Sequence, residues 1–435
     1  MIPGGRASAA IEVLADVLET GRPASEALRE WGRNNRFAGS SDRAAIGNLV
    51  YAALRRKLSL AALMSSDSPR ALVLGALRFV WGHDAAEVAD IVNGEGHAPA
   101  ALTAEETAAL AEDGTSNEAP DIVRADAPEW LWPEFVKAFG ENAVTELQML
   151  AARPPVNIRV NTLQTTPDKL AKTLERHNPQ GEQLLPTALR FETPEGPKRH
   201  PNLEAETSHG RGHFEVQDLG SQIAAAMTGA KAGQQVVDYC AGAGGKTLAM
   251  AAAMGGKGQI HAYDADRRRL RPMVDRMRRA GARNIQIRDV PRGGPDGLDD
   301  LVGKADLVLI DAPCSGTGTW RRRPEAKWRL RPKALELRVA EQAQILESAA
   351  RLVRPGGRMV YVTCSVLPDE NTTQILNFTQ NNPQFSVVPY GQVWASAIGG
   401  EAPASADGSD QTLLLTPASH GTDGFFIAVL ERQKL

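Results

Sequence analysis

The sequence predicts an α/β protein whose C-terminal half forms a doubly wound, mostly parallel sheet. A glycine-rich segment follows the first predicted strand and leads directly into an alanine-rich helix, as ligand-binding loops of such sheets do. Short apolar strand patterns alternate with helical patterns beyond residue 213, at 235–238, 259–264, 284–289, 305–311, 357–363 and 424–430. These patterns predict a Rossmann-like domain, preceded by an all-α domain and a small α+β unit.

We divide the chain into a helical domain at residues 1–125, a small α+β unit at 126–212 and the sheet domain at 213–435. The 435 residues correspond to about three domains of usual length, which agrees with this division. The helical domain ends in an acidic segment rich in Ala, Gly and Pro, at residues 93–126. We interpret this segment as a linker or a loosely packed helix.

Capping residues and apolar spacing predict several elements of the first two domains. Ser41-Asp42 can cap a helix whose apolar residues recur every three or four positions. The aromatic run that begins at Trp130 predicts an amphipathic helix. In the α+β unit, residues 157–161 predict a strand, and Thr166-Pro167 provides an N-cap followed by proline at the first helical position.

Charge is distributed unevenly along the chain. The net charge is −3, but residues 84–130 contain twelve acidic residues and one basic residue, so the rest of the chain carries +8. Much of this positive charge lies in the stretches 267–283 and 321–333. Since phosphate contacts depend on local Lys and Arg, a polyanionic partner is compatible with this pattern. Two solvated helix faces explain the charge equally well.

Other compositional features exclude several classes of protein. No apolar run approaches the ~18 residues of a membrane-spanning helix. The first twenty residues contain Glu12, Asp16 and Glu19, where a signal peptide would need an uncharged core. The three cysteines have no CxxC spacing and the histidines form no HExxH pattern, so we expect no metal. We expect a cytoplasmic monomer with no membrane partner.

The glycine-rich segment Cys240–Thr247 fits neither of two common phosphate-binding motifs. A Walker A loop would need Gly at position 240, and the third Gly of GxGxxG would fall on Thr247. The second strand ends at Asp264, where an acidic residue would receive ribose hydroxyls. This pattern favours a nucleoside ligand without a bound pyrophosphate, and S-adenosylmethionine is the commonest of that kind. A glycine-rich segment can also be only a tight turn.

Two of the cysteines follow predicted strands directly. Cys314 comes after the strand at 305–311, and Cys364 comes after the strand at 357–363. The carboxyl ends of parallel strands meet at one edge of a sheet, so both thiols should face the same crevice as the glycine loop. A lone buried cysteine is usually a small hydrophobic residue. Two cysteines at two such strand ends are harder to explain in that way.

Five strings together resemble the RNA cytosine-5 methyltransferases and cover most of residues 214–430: DYCAGAGGKT, AYDADRRRL, DAPCSGTGTWRRRPEAKW, YVTCSVLPDEN and TDGFFIAVL. The string DRAAIGNLVYAALRRKLSLAAL resembles the antiterminator-like (NusB-like) helical domain of the bacterial small-subunit ribosomal RNA enzymes of the B type. NIRVNTL resembles the small RNA-binding unit of the same family. Ala243 stands where the family usually has Pro, so we expect altered loop stiffness rather than lost binding.

The resemblance implies S-adenosyl-L-methionine as cofactor and assigns a role to each matching residue. Cys364 would be the nucleophile that attacks carbon 6 of cytosine, and Cys314 would assist product release, with a flipped pyrimidine between the two sulfurs. Asp311 would hold the base beside the cofactor. Lys246 could orient Asp311 instead of contacting the cofactor. Asp264 would hold the ribose and Asp289 the adenine edge. The methionine part would contact Cys240, Ala241, Gly242, Ala243, Gly244, Gly245 and Lys246.

The resemblance further implies an RNA substrate, most simply small-subunit ribosomal RNA. Because the target base must leave its stack, we expect single-stranded or loop RNA. A transfer RNA substrate, or a non-catalytic RNA-binding assembly factor, remains an alternative, and the two positioned thiols weigh against the second. The side chains expected to contact RNA are Arg321, Arg322, Arg323, Lys327 and Arg329, followed by Arg159 and Asn161.

Overall fold

The computed structural model of the protein describes residues 1–114, 119–288 and 297–434. Contacts divide the chain into two compact units. We call the first the helical unit, and it comprises Met1–Pro154, Thr193–His200 and Thr319–Leu330. We call the second the sheet unit, and it comprises Pro155–Glu192, Pro201–Gly318 and Arg331–Leu435.

The helical unit packs short helices around a core that includes Leu14, Ile46 and Leu49. A π-helical turn, Ala76–Val80, directly continues the fifth helix. The helices before residue 155 are α1 Pro3–Thr20, α2 Ala24–Asn34, α3 Ser40–Arg55, α4 Lys57–Leu63, α5 Pro69–Gly75, α6 Ala85–Ile91, α7 Ala104–Ala111, α8 Asp121–Arg124, α9 Trp132–Phe139 and α10 Ala143–Leu150.

Two predictions for this unit need correction. Helix α3 begins at Ser40 rather than after Ser41-Asp42, and Asp42 lies in its first turn, where it accepts a hydrogen bond from Gly39 N. The acidic segment contains the packed helix α7, since Leu110 is fully buried and Glu106 forms an ion pair with Arg70. The predicted boundary at residue 125 falls inside the helical unit.

The small α+β part of the sheet unit is an antiparallel sheet of strand order β2-β3-β1-β4. The hydroxyl of Thr166 accepts a hydrogen bond from Lys169 N, which confirms the predicted N-cap and the following helix. Its elements are β1 Val156–Val160, α11 Pro167–Thr173, β2 Gln180–Gly181, β3 Ala188–Phe191, α12 Thr207–Gly210 and β4 Phe214–Val216.

The large sheet confirms the predicted Rossmann-like domain. Its strand order is β10-β12-β9-β8-β5-β6-β7, and β11 pairs with β12. Its elements up to the fourth strand are α13 Leu219–Ala226, β5 Gln235–Asp238, α14 Gly245–Ala253, β6 Gln259–Ala262, α15 Arg267–Ala280, β7 Ile285–Ile287 and β8 Ala305–Asp311. Helix α16, Pro324–Arg329, folds with the helical unit. The sheet continues with α17 Pro332–Ala350, β9 Val353–Thr363, α18 Thr372–Asn381, β10 Phe385–Val388, α19 Tyr390–Ala397, β11 Leu413–Leu415, α20 Pro417–His420 and β12 Phe425–Arg432.

The parallel strands β6, β5, β8 and β9 lie side by side in the middle of this sheet. Their interior positions are mostly buried and apolar, as at Val236 and Val237 in β5 and at residues 307–310 in β8, which explains why short apolar runs predicted them. Their carboxyl ends therefore share one edge, and Asp311 at the end of β8 lies opposite Val362 near the end of β9. The loops that leave this edge carry the cysteines.

Two glycines form a close backbone contact between the loop after β8 and the start of β12. Gly424 N donates a hydrogen bond of 2.8 Å to Gly318 O. A Cβ on Gly424 would lie 2.6 Å from Gly318 Cα and 2.7 Å from Val366 Cγ1. No side chain fits at this position without displacing backbone.

We expect Gly424→Ala to lower the free energy of unfolding by about 1–3 kcal/mol, because overpacking forces backbone shifts. Urea denaturation of the purified protein measures this change. Gly391→Ala is the matched control, since a Cβ on Gly391 in α19 would meet nothing within 4 Å. Equal stability of the two variants would contradict the close contact.

Candidate active site

The loop after β5 turns sharply into α14. Gly242 has φ +50° and Gly244 has φ +85°, so both adopt backbone conformations that favour glycine. Gly244 precedes the first helical residue, Gly245, and Ala243 O accepts a hydrogen bond of 2.7 Å from Arg276 Nη1. Burial raises the pKa of the Cys240 thiol in the same loop, so it stays protonated at neutral pH.

Asp264 follows β6 and faces this loop. Its Oδ2 accepts a hydrogen bond of 3.0 Å from Gly242 N and lies 3.2 Å from Arg269 Nη1. Its Oδ1 accepts a hydrogen bond from Asp266 N, and only 3% of the residue is exposed, so the carboxylate is fixed. Asp289, the other acidic residue predicted here, lies outside the described residues.

The same loop fits a small nucleoside ligand. A Cβ on Gly242 would lie 3.5 Å from Arg269 Nη2 and 3.9 Å from Asp264 Oδ2, and glycine leaves that position beside the two side chains unfilled. A carboxylate still has capacity for a hydroxyl donor after the bonds that Asp264 already accepts. One buried oxygen, Asp238 Oδ1 at the end of β5, has no hydrogen-bond partner among the described residues. The residues present are therefore compatible with a bound nucleoside.

Lys246 and Asp311 form an ion pair between the start of α14 and the end of β8. Lys246 Nζ lies 2.7 Å from Asp311 Oδ2, and 5.2 Å from the centre of the Phe425 ring. The lysine side chain is 7% exposed, whereas that of Asp311 is 35% exposed. The lysine thus holds a carboxylate that remains accessible, which supports the orienting role considered for Lys246.

The two strand-end cysteines lie next to each other. Cys314 Sγ and Cys364 Sγ are 3.4 Å apart, and both residues are half-buried free thiols. The hydrogen bond with Cys364, followed by burial, raises the pKa of Cys314 well above its usual value. Cys314 therefore remains a thiol at neutral pH. A pyrimidine ring does not fit between sulfurs this close, so the expectation that the base lies between them is wrong.

Two buried residues that the sequence did not single out hold Cys314 from both sides. Glu370, which is fully buried, accepts hydrogen bonds from the backbone N and the hydroxyl of Ser315. Gln342 in α17 donates to Pro313 O at 2.9 Å and to Glu370 Oε1 at 3.0 Å. The backbone on each side of Cys314 is thereby fixed. Glu370 falls within the string YVTCSVLPDEN without being distinguished there, and no local signal points to Gln342.

Further bonds join the loop of Cys314 to that of Cys364. Gly318 N donates to Cys364 O at 3.0 Å. The Thr317 hydroxyl lies 3.0 Å from the Ser365 hydroxyl and accepts a bond from Val366 N. Since both loops are tied by backbone and side chain, the distance between the sulfurs is a property of the fold.

Two residues predicted to contact RNA in the small sheet are buried. Arg159 is 6% exposed and its Nε donates to Gln217 Oε1, and burial lowers its pKa to about 10. Asn161 is 3% exposed and donates to Gly212 O and Ala280 O, both at 2.8 Å. These hydrogen bonds hold the structure together, so the predicted RNA contacts of Arg159 and Asn161 need correction.

The arginine-rich segment after Gly318 is also partly buried, within the helical unit. Arg321 is 3% exposed, and Lys327 is 4% exposed and donates to Arg55 O at 3.0 Å. Burial lowers the pKa of Lys327 to about 8. The predicted phosphate contacts of Arg321 and Lys327 are therefore wrong, whereas Arg322 is half-buried and Arg323 is exposed.

Neither a metal site nor a membrane-spanning helix is found among the described residues. Across 1–114, 119–288 and 297–434, no three His, Cys, Asp or Glu side chains gather closely enough to hold a metal ion. In the same part of the chain, no helix combines the length and the apolar character needed to cross a lipid bilayer.

Family models match two parts of the chain. The model of the 16S rRNA methyltransferases RsmB/F matches residues 225–431. The model of the RsmF/B-like ferredoxin-like domain matches residues 127–196. The first covers the large sheet with both cysteine loops, and the second covers most of the small sheet.

Curated proteins and solved structures resemble the chain over most of its length. It is 32% identical over 312 residues to the probable ribosomal RNA small subunit methyltransferase B of Synechocystis sp., covering 70% of this chain and 66% of that protein. It is 31% identical over 328 residues to ribosomal RNA small subunit methyltransferase B of Citrobacter koseri, covering 75% of this chain and 70% of that one. The chain thus aligns with about two thirds of the length of these relatives.

The crystal structure of PH0851 superposes on 99% of this chain and 99% of its own, with a TM-score of 0.73 and 26% identity. A methyltransferase homolog protein from Pyrococcus horikoshii covers 74% of this chain with a TM-score of 0.59 and 24% identity, which supports the fold alone. Together with the family models and the relatives, these likenesses show that the chain belongs to the RsmB/F family of 16S rRNA methyltransferases.

Proposed function

We propose that this protein transfers a methyl group from S-adenosylmethionine to carbon 5 of a cytosine in small-subunit ribosomal RNA, through a covalent bond between Cys364 and the base. The observation that carries the proposal is the 3.4 Å separation of the Cys314 and Cys364 sulfurs at the carboxyl edge of the large sheet. Two adjacent thiols beside an accessible, lysine-held carboxylate suit nucleophilic addition to a pyrimidine.

Cys364 is the proposed nucleophile because it is the cysteine of the TCS string, which carries that role in the family that the chain resembles. Carbon 5 of cytosine is a poor nucleophile until a thiolate adds to carbon 6, which moves the electrons of the double bond towards carbon 5. A cysteine attacks as the thiolate. The hydrogen bond with Cys364, followed by burial, raises the pKa of Cys314, which suits Cys314 as a proton donor to the Cys364 sulfur.

The methyl donor supplies an electrophilic methyl group when bound, and the loop Cys240–Lys246 with Asp264 would hold it. The carboxylate of Asp311 accepts a hydrogen bond from the amino edge of the cytosine, and Lys246 keeps that carboxylate in place. After methyl transfer the proton on carbon 5 leaves to a base, and the bond between Cys364 Sγ and carbon 6 breaks. Cys314 then donates its proton to the departing sulfur.

The first test is to map 5-methylcytosine by bisulfite sequencing of ribosomal and transfer RNA from a strain that lacks the protein. We expect one modified cytosine of small-subunit ribosomal RNA to be lost. The intact chain should restore it, and Cys364→Ala should not, since the thiolate is essential. A lost cytosine in transfer RNA would identify the alternative substrate. An unchanged map, or restoration by Cys364→Ala, would contradict the proposed reaction.

A second prediction separates the roles of the two thiols. Cys314→Ala removes the proton donor for the departing sulfur, so the covalent adduct should accumulate. A denaturing gel of the purified variant with RNA and S-adenosylmethionine should show a retarded protein band. The double variant Cys314→Ala/Cys364→Ala is the control and should show none. If Cys314→Ala shows no such band either, Cys314 has no role in release.

A third prediction concerns Glu370 as a positioning residue. Glu370→Gln keeps the shape but cannot accept both hydrogen bonds of Ser315, so the loop of Cys314 should shift. We expect kcat to fall by about 10–100-fold with KM values for RNA and S-adenosylmethionine nearly unchanged. The pH profile of kcat should also change, because the Glu370 charge contributes to the raised pKa of Cys314.

The matched control for this variant is Glu347→Gln, which makes the same substitution at an exposed position of α17. Its kcat and pH profile should equal those of the wild type. If Glu370→Gln lowers thermal stability but leaves both kcat and the pH profile unchanged, Glu370 is structural and does not position Cys314.

A further inference from the structure

The helical unit contains a cavity of about 530 Å³ that shares no residue with the cysteine site. Its walls come from the end of α3, the π-helical turn, α8, the end of α10 and residues 193–196, all within this unit. Binding sites for small ligands commonly fall between about 300 and 1,000 Å³. The cavity is thus large enough for one nucleotide.

Four arginines line this cavity, and we call it the arginine pocket: Arg55, Arg56, Arg124 and Arg153. Arg153 is fixed, because its guanidinium donates to Pro194 O at 2.8 Å and to Lys198 O at 2.9 Å. Arg55 is 8% exposed and its Nε donates to a backbone carbonyl. Arg124 forms an ion pair with Asp121 at 2.9 Å, whereas among the described residues neither Arg55, Arg56 nor Arg153 forms one with a carboxylate.

Two acidic residues lie on the pocket wall, Asp126 and Glu195, and the first is already engaged. Asp126 Oδ1 accepts hydrogen bonds from Leu58 N and Ser59 N, and its Oδ2 accepts one from the Ser59 hydroxyl. These bonds cap the start of α4. Asp126 therefore serves the backbone, and the exposed Glu195 forms no ion pair with Arg55, Arg56 or Arg153 among the described residues.

The titration behaviour of two groups agrees with this positive environment. Burial, and then repulsion by Arg153, lower the pKa of Arg55 to about 10. Burial together with the charges of Arg153, Arg322 and Arg55 lowers the pKa of His200 to about 4. Buried arginines repel one another here, and a bound anion would relieve that repulsion.

Two aromatic residues stand beside the arginines. Phe79 and Trp81 line the same cavity and are both half-buried. Phe79 lies in the π-helical turn Ala76–Val80 and Trp81 follows it directly, and π-helical turns occur frequently at functional sites. A positive groove with aromatic side chains is the arrangement that binds single-stranded nucleic acid, because phosphates meet cations and bases stack on rings.

We propose that the arginine pocket binds one phosphodiester of single-stranded RNA, with a neighbouring base against Phe79 and Trp81. This proposal depends on the proposed function in one respect, which is the identification of the ligand as RNA. It gives the helical unit its own contact with the substrate strand, made by residues outside the catalytic cluster. A free nucleotide offers the same phosphate and base chemistry, so the experiment distinguishes the two sources.

The test uses the full chain and a fluorescently labelled single-stranded RNA of about 15 nucleotides, with anisotropy recorded at several salt concentrations. We expect the double variant Arg56→Glu/Arg124→Glu to bind at least about 10-fold more weakly, with the salt slope reduced by about 0.7 for each lost phosphate contact. The matched control is Arg29→Glu/Arg36→Glu, which makes the same charge change at exposed positions of the same unit. Equal RNA affinity of the two double variants would overturn the proposal.

A second variant blocks the pocket sterically and changes no charge. Its result therefore does not depend on whether the Arg56→Glu/Arg124→Glu variant folds correctly. Ala152→Trp adds a large side chain at the wall of the pocket and should also weaken RNA binding relative to the control. Adenosine 5′-monophosphate is the second probe. If it binds the wild type and not Ala152→Trp while RNA affinity is unchanged, the pocket takes free nucleotides and the RNA proposal fails.

The outcome is separate from that of the methylation test. Methylation is measured on the wild type and on the Arg29→Glu/Arg36→Glu control, whose substitutions lie outside both the arginine pocket and the cysteine site. Weak binding by the pocket variants together with absent methylation in the wild type would keep the pocket and reject the proposed reaction. Normal methylation by the wild type together with unaltered RNA binding by the pocket variants would support the proposed reaction and reject the RNA contact of the pocket.

Discussion

The parallel pairing of β8 with β9 is the constraint on which the candidate site depends. Adjacent strands of a sheet are about 4.8 Å apart, so chain segments that leave the same edge of neighbouring strands begin close together. Ala312 N donates to Val362 O at 2.8 Å, which extends the pairing past the end of β8. Gly318 N then donates to Cys364 O, and the two thiols need little further adjustment to come within hydrogen-bond distance.

The short distance between the Cys314 and Cys364 thiols also depends on a carboxylate that is buried beneath their two loops. A carboxylate without partners in the interior is very costly, and the cost is offset only when its oxygens accept hydrogen bonds. Glu370 meets this condition through Ser315 and Gln342, while the Tyr361 hydroxyl donates to its backbone O. The loop of Cys314 is therefore fixed by directional bonds to a charge, and such bonds tolerate less displacement than apolar packing.

Local pattern explains which parts of this arrangement the sequence could predict. The strands at 235–238 and 305–311 have the predicted bounds because each is a buried apolar run, and such runs carry their own signal. The meeting of Cys314 with Cys364 follows from the rule that parallel strands end at one edge. Gln342 could not be predicted, since it reaches Pro313 from 29 residues away along the chain and nothing local marks it.

The predicted RNA contacts failed for a related physical reason. A cluster of basic residues indicates positive charge but not the direction in which each side chain points. Lys327 lies within 4.8 Å of the Trp328 ring centre and donates to Arg55 O, so its charge faces the interior of the helical unit. There burial lowers the pKa of Lys327 and raises that of Asp126, and the attraction between the two charges opposes each shift. The Asp126 carboxylate is engaged by the start of α4 and attracted by Lys327, so it is not available to Arg55 and Arg153, and these two unpaired charges are the basis of the proposed contact with an RNA phosphate.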